Sequence, residues 1–483
     1  MFTTASFIGL APILVMSIGA VLLMLQISVR RRIGYSYAIT LASFVLAAAS
    51  TQYSLQVAPL QITPLLIADE YALFFSLLFC LGGAVTTVIS RDYLNLREGQ
   101  NEEYYLLLLL SVLGAVTLAY ATHLASLLLG LELLGVALYA LIAYPDKQTL
   151  PLEAAIKYLV LSGAASAIFL FGFALLYTVS GALAYADMRT AFEKLPESSE
   201  IIMLAGAAMV ITGLGFKLSA VPFHMWTPDV YEGAPAPVSG FLAAISKSAV
   251  FAAVLRWWLE AGLFEHDALL QAVSVLAIAS MLVGNILALL QDNVKRVLAY
   301  SSIAHVGYLL IVLVACGVGP EPGLAVEAAC YYLVAYAATT LAAFTLLGLL
   351  SSHETETEED QLSDMVGLFW RQPGLSLLFS VALLSLAGIP LTAGFIGKFY
   401  LFAAGVDASL WMLLAALVIG SALGIFYYLR IVYAMSRRGE EAEAVSAPGV
   451  TVSGKLVFYS LIVAMLYLGI VPGALMDYLR TIL

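Results

Sequence analysis

Residues Gly213 to Pro237 read GLGFKLSAVPFHMWTPDVYEGAPAP. They complete an apolar run that starts near Ile201 and is long enough to cross a bilayer core of about 30 Å. Two residues do not belong in a plain membrane helix. Pro222 cannot donate to the carbonyl of Leu218, and its ring clashes with that turn, so the helix is expected to break there. Lys217 stands just before the break, among Leu214, Phe216 and Leu218. Backbone freed at membrane depth is tolerated only where it is buried in protein or lines a cavity. The stretch therefore predicts a helical membrane protein whose interrupted helix carries an ion site.

A second stretch has the same character. Ala387 to Tyr400 reads AGIPLTAGFIGKFY, with Pro390 acting on Leu386, and Lys398 close behind. Around these two runs the chain of 483 residues is 62% hydrophobic and 11% charged, about half the charge of a soluble domain. Apolar runs recur along its whole length. The expectation is an all-α, polytopic membrane protein, one integral domain over residues 1–483. Fourteen spans are expected, near 4–29, 36–55, 66–90, 103–120, 123–144, 153–179, 201–230, 236–260, 268–290, 297–318, 323–351, 374–404, 409–435 and 455–478. The two breaks lie five spans apart. An odd repeat length inverts the second copy, so 103–260 and 268–435 are expected as inverted five-helix repeats with paired broken helices.

Arg30, Arg31 and Arg32 follow the first span rather than precede it, which reads as an uncleaved span with its N-terminus outside. The positive-inside rule agrees. Thirteen basic residues, from Arg30 through Arg97, Lys147 and Lys295 to Lys455, fall on the inner side, against Arg189, Lys194, Arg256 and Arg480 outside. The acidic run His353 to Asp364, HETETEEDQLSD, is expected inside as a solvated loop.

The remaining four basic residues, Lys157, Lys217, Lys247 and Lys398, fall inside spans. Glu132 lies in SLLLGLELLGVALYA and Lys247 in GFLAAISKSAVFAAV. Glu132 with Lys217, Lys247 and Lys398 represents about 10–14 kcal/mol of gross insertion cost, which points to function rather than stability. The chemistry suits lysine. Desolvation disfavours a buried ammonium and a nearby carboxylate restores it, so proton affinity can be switched by moving charge. Arginine does not deprotonate and cannot serve. Lys157 is four residues from Glu153, and a helix-end ion pair competes there with a transport role. His305 follows Tyr300, Ser301 and Ser302 in YSSIAHVGYLL; it reads as a proton relay or as an interhelical hydrogen bond, and Tyr300 is a further candidate for proton transfer. His224 either lines an inner access path or anchors the interface. His123 reads as interfacial, and His266 and His353 as loop residues without a role.

Cys80, Cys316 and Cys330 form no CxxC or Cys/His cluster, and no GxGxxG or P-loop is present. No redox cofactor, nucleotide or metal is expected in this chain, and no basic patch suggests nucleic acid.

Phe216 to Val238, FKLSAVPFHMWTPDVYEGAPAPV, resembles the signature of the antiporter-like subunits of respiratory complex I, and most of all their bacterial N-type branch. Lys295 to Leu310, KRVLAYSSIAHVGYLL, and Gly388 to Phe402, GIPLTAGFIGKFYLF, are similar to the same family. The resemblance covers essentially the whole chain. It implies fourteen helices, inverted repeats, a half-channel at each broken helix, and proton transfer along a central polar axis. It also implies roles: Glu132 as the glutamate of the fifth helix beside Lys217, Lys247 as the bridging lysine, and His305 and Lys398 as relay and exit. It places flavin, iron–sulfur and quinone chemistry in other subunits of a NADH-quinone oxidoreductase in the bacterial plasma membrane. A multisubunit sodium/proton antiporter subunit is the alternative. One large subunit of that assembly carries glutamate where this chain has Lys398. A passive scaffold is a third reading, under which the buried lysines are replaceable by apolar residues.

Overall fold

The computed structural model describes residues 3–95, 101–144, 148–320, 322–350, 358, 360–438 and 452–482. Arg97, Lys147 and His353 lie outside these residues. Among the described residues, thirteen helices are long and apolar enough to cross a membrane, and a fourteenth position is filled by a shorter apolar helix and the helix that follows it. In chain order they are α1 (Ala11–Val29), α2 (Ile33–Ser54), α3 (Glu70–Asn95), α4 (Glu102–Tyr120), α5 (Leu124–Ile142), α6 (Thr149–Ser180), α7a (Glu197–Leu218) with the short α7b (Trp226–Gly233), α8 (Ala236–Glu260), α9 (Asp267–Leu289), α10 (Val294–Val318), α11 (Pro322–Leu350), α12a (Pro373–Ala387) with α12b (Ala393–Asp407), α13 (Trp411–Ser436) and α14 (Val452–Ile470).

The first span is entered by a separate turn of helix, Thr4–Gly9. The third starts at Glu70 rather than near residue 66. Leu60–Thr63 and Leu66–Ala68 form a small antiparallel hairpin ahead of it, an exception to the all-helical reading. The Asp69 carboxylate accepts the Ala72 N–H at 2.8 Å and so starts the helix. The last span ends at Ile470, and Gly473–Ile482 is a separate helix that buries Met476 and Leu479.

The helices alternate in direction, so two faces gather different charges. One face, the basic face, holds ion pairs of Arg31 with Glu103, Lys157 with Asp229, Arg296 with Glu232 and Arg430 with Asp292. The opposite face holds Arg189 with Glu265, Arg256 with Asp69 and Arg480 with Glu327. Both terminal helices reach this opposite face: the Tyr120 hydroxyl donates to the Gly9 carbonyl, and Tyr478 packs near Phe74.

Apolar residues ring most of these helices, so burial follows position in the bundle rather than an amphipathic stripe. The apolar window of α8 is wholly buried, and α10 and α11 nearly so, whereas α1, α2 and α6 turn much of their surface outward. Lys247 and His305 therefore lie on the two helices with the most deeply buried apolar windows, α8 and α10.

Both breaks occur, but neither is made by its proline. α7a already ends at Leu218: Ser219 has φ 66°, and the Ala220 N–H turns back to the Gly215 carbonyl at 2.8 Å. α12a ends at Ala387: Gly388 has φ 86°, and the Ile389 N–H turns back to the Leu384 carbonyl at 3.0 Å. Both are left-handed C-terminal caps with a 6→1 bond, and the prolines follow as stops. A third irregularity was not legible in the sequence. Leu242–Ser246 is a π-helical turn immediately before Lys247, a feature that recurs at functional sites.

Candidate proton-transfer site

The buried ionisable residues are held in three hydrogen-bonded groups. In the first, the Lys217 ammonium of α7a donates to the Ser162 hydroxyl of α6 at 2.6 Å. The Tyr139 hydroxyl of α5 donates to the same oxygen at 2.6 Å. One turn along α6, Ser166 donates to Glu132 at 2.7 Å. Serines at i and i+4 share a helix face. The ammonium also faces the Tyr139 and Tyr158 rings, at 5.9 and 5.8 Å from their centres. Glu132 and Lys217 form no direct ion pair; the serine pair of α6 stands between them. Lys217 is buried, whereas Glu132 is only half-buried. A Cβ on Gly135 would lie 3.1 Å from the lysine nitrogen, so glycine leaves the ammonium its room.

The second group centres on Lys247, which the π turn precedes. Its ammonium donates to Ser302 of α10 at 2.6 Å, and Tyr336 of α11 donates to the same hydroxyl at 2.9 Å. The Tyr231 ring of α7b lies 5.4 Å from the nitrogen. One turn beyond Ser302, His305 Nδ1 is hydrogen-bonded to the Tyr332 hydroxyl of α11. The His305 ring packs on Tyr336 and Tyr308, at 5.1 and 5.5 Å between centres. A cavity of about 10 Å³ adjoins it, lined by His305, Tyr336, Thr339 and Ser385 among others. That is about the volume of one water probe.

The third group is Lys398 on α12b. Its ammonium folds back to the end of α12a and donates to the Leu386 and Ala387 carbonyls at 3.0 and 2.9 Å. It lies 5.3 Å above the Tyr308 ring, which links it to the His305 group by packing. Tyr308 accepts from Asn285 of α9 at 3.0 Å, and Asn285 accepts from Tyr427 of α13 at 2.9 Å. Gly388 is required twice here: for its left-handed φ, and because a Cβ would stand 2.9 Å from the Lys398 side chain.

Four of the eight residues singled out from the sequence, Lys217, Lys247, His305 and Lys398, are thus buried and bonded among α6, α7a, α8, α10, α11, α12a and α12b; a fifth, Glu132, joins through Ser166. The other three stand apart. Lys157 is exposed and ion-paired to Glu153 and Asp229, each at 2.8 Å. Buried His224 joins none of the three groups. Tyr300 is half-buried and joins none of the three groups. The hydroxyl partners Ser162, Ser166, Ser302, Tyr332 and Tyr336 were not picked out individually. Polar residues of this size are common in membrane helices, and only the Tyr-Ser-Ser run before His305 hinted at them.

Three buried lysines inside a polytopic helical bundle define the class: a multi-pass membrane protein with ionisable groups at its centre. The family described as NADH:quinone oxidoreductase/Mrp antiporter, transmembrane, matches residues 121–424. NADH-quinone oxidoreductase subunit N of Ectopseudomonas mendocina is 45% identical over 99% of this chain and 96% of its own length. A chain of respiratory complex I from Thermus thermophilus, solved with bound aureothin, is 33% identical, with TM-score 0.82, covering 96% of this chain and 98% of that one. A chain of the Mrp complex from Dietzia sp. shares the fold at 19% identity, with TM-score 0.84, over 99% and 97% of the two chains. The chain belongs to the NADH:quinone oxidoreductase/Mrp antiporter membrane family.

Proposed function

We propose that this chain is the N-type proton-translocating membrane subunit of a NADH-quinone oxidoreductase, respiratory complex I, in a bacterial plasma membrane. It works beside other membrane subunits of that complex, and the basic face is the inner face. The observation that carries this reading is the buried series Lys217, Lys247 and His305, bonded to hydroxyls, and Lys398, bonded to backbone carbonyls, in a chain similar over nearly its full length to a subunit N. The Mrp likeness concerns the fold and does not favour an antiporter.

Redox energy released in other subunits shifts charge along the series. Each lysine is an ammonium that can be lost because it is desolvated. Glu132 acts on Lys217 through Ser166 and Ser162 and through space, without a direct ion pair. Protons enter from the basic face and leave at the opposite one. We assign no flavin, iron–sulfur cluster or quinone to this chain.

Residues 103–260 and 268–435 act as two inverted halves. Their contacts repeat in support of this. A Cβ on Gly114 would stand 2.6 Å from the Leu134 nitrogen and 3.0 Å from the Gly130 oxygen. A Cβ on Gly284 would stand 2.7 Å from the Ala304 nitrogen and 2.9 Å from the Tyr300 oxygen. The same displacement of 170 residues carries Ser166 and Glu132 onto Tyr336 and Ser302, which are also hydrogen-bonded.

The test is proton pumping per NADH oxidised in membrane vesicles. Lys217→Arg keeps the charge but cannot cycle a proton, so it should lose pumping nearly as far as Lys217→Ala, by at least about tenfold. A normally assembled Lys217→Arg complex that pumps fully would rule out proton cycling there. It would leave the scaffold reading standing.

A further inference from the structure

The acidic run after α11 is not wholly a solvated loop. Glu358 is largely shielded, its side chain 12% exposed, and it meets the buried Lys295, 2% exposed, at 2.6 Å. Val294 N–H donates to the Asp360 carbonyl at 2.7 Å and Leu362 N–H to the Asp292 carbonyl at 2.8 Å, so residues 360–362 are laced to the start of α10.

The pair sits in the corner between α7b and α8. α7b ends at Gly233, leaving carbonyls without intrahelical donors. The Lys295 ammonium supplies them, donating to the Glu232 and Ala234 carbonyls, each at 2.7 Å. α8 begins at Ala236, between two prolines that have no N–H. The free donor there, the Ala236 N–H, is taken by Glu358 at 2.9 Å. A cation thus lies at one helix C-terminus and an anion at the next helix N-terminus, the favourable sense at both ends. The corner belongs to the same helices as the second site. Ser302 is two turns along α10 from Lys295, and Lys247 three turns along α8 from Ala236. Tyr336, the other donor to Ser302, is on α11.

We propose that Glu358 is a positioning residue for the Lys247 site: with Lys295 it forms a latch across the α7b–α8 corner that sets α8 in register with α10. The functional half of this inference rests on the reading of Lys247 as a proton carrier. Burial pushes the Glu358 carboxyl up, but the Lys295 ammonium and the donors around it outweigh burial and hold it below its ordinary value. The latch is therefore complete at neutral pH and is lost only as pH falls through that depressed value. The neighbouring Asp360 is pushed up by burial. The corner's other charges are paired too: Arg296 meets Glu232 at 2.7 Å and Asp229 at 2.9 Å, and Asp229 also meets Lys157 at 2.8 Å.

The experiment uses the assembled complex in inverted vesicles, with the basic face outward. Lys247→Cys serves as a probe, and its rate of modification by a water-soluble maleimide is measured alone and with Glu358→Gln, Glu358→Ala or Glu358→Asp. Removing the carboxylate should raise the labelling rate about fivefold or more, because one or two broken charge-assisted bonds shift local opening by that factor. Glu358→Asp should stay within about twofold of the parent, since the charge is kept. Glu358→Gln without the probe should lower pumping at unchanged assembly. The isosteric Gln keeps the test readable if the Ala variant does not assemble. Unchanged labelling in an assembled Glu358→Gln complex, or pumping equal to the parent, overturns the latch. Normal pumping by Lys247→Met would instead overturn the carrier reading, and the labelling rates would still decide the latch.

Discussion

The two broken helices end in the same way and then use their lysines differently. At the first break the Phe216 carbonyl is capped by the Trp226 indole N–H at 3.0 Å, and Lys217, on the N-terminal side, is left to Ser162. At the second break no indole is present. Lys398, on the C-terminal side, caps the Leu386 and Ala387 carbonyls itself. A break in a membrane helix needs a donor for its freed carbonyls. Where a neutral side chain supplies it, the lysine is free to exchange partners. Where the lysine supplies it, charge and backbone are tied together.

The largest effect expected from this contrast is on assembly. Lys398→Met leaves two buried carbonyls without a donor, at about 1–3 kcal/mol each, and also removes the titratable group. Lys217→Met loses one bond to a hydroxyl, worth about 1 kcal/mol. Both variants should pump poorly, but only Lys398→Met should lower the thermal midpoint of the purified complex markedly. If Lys217→Met is the more destabilising, the contrast is broken. A smaller effect tests the indole. Trp226→Phe keeps an aromatic ring but removes the indole donor; the Ser219 N–H still donates to the Phe216 carbonyl at 3.0 Å, so the lost bond should cost about 1 kcal/mol while leaving Lys217 its serine. Pumping should then fall less than in Lys217→Arg, and a Trp226→Phe complex as stable as the parent would show that the cap is dispensable. The smallest effect sharpens the boundary of the second site. Tyr300 shares a run with Ser301 and Ser302 but joins none of the three bonded groups. Tyr300→Phe should pump within about twofold of the parent, as for substitutions that break no buried contact. A tenfold loss would draw Tyr300 back into the site.

Much of the architecture was legible because apolar length is a one-dimensional property. Thirteen of the fourteen expected spans have a single helix long enough to cross, and the twelfth has its two pieces. The breaks were legible through Pro222 and Pro390, although the chain turns earlier, at Ser219 and Gly388. Left-handed caps depend on which residues later pack around them, and a serine does not announce one. The hairpin at Leu60–Ala68 was too short to register against an apolar background. The acidic run was misread at Glu358, because charge density describes a segment and not the one carboxylate with a buried partner.

Composition and spacing alone determined that this chain is a membrane bundle with lysines where lipid or apolar packing would not hold them. The insertion cost of a charge is written in the residue and its neighbours along the chain. Only the tertiary structure decided what each lysine touches: a serine for Lys217 and Lys247, backbone carbonyls for Lys398, and a distant carboxylate for Lys295. Hydrogen bonds act over about 3 Å. Each of these pairs is brought that close by helices far apart in sequence, or by the turn-back of a broken one.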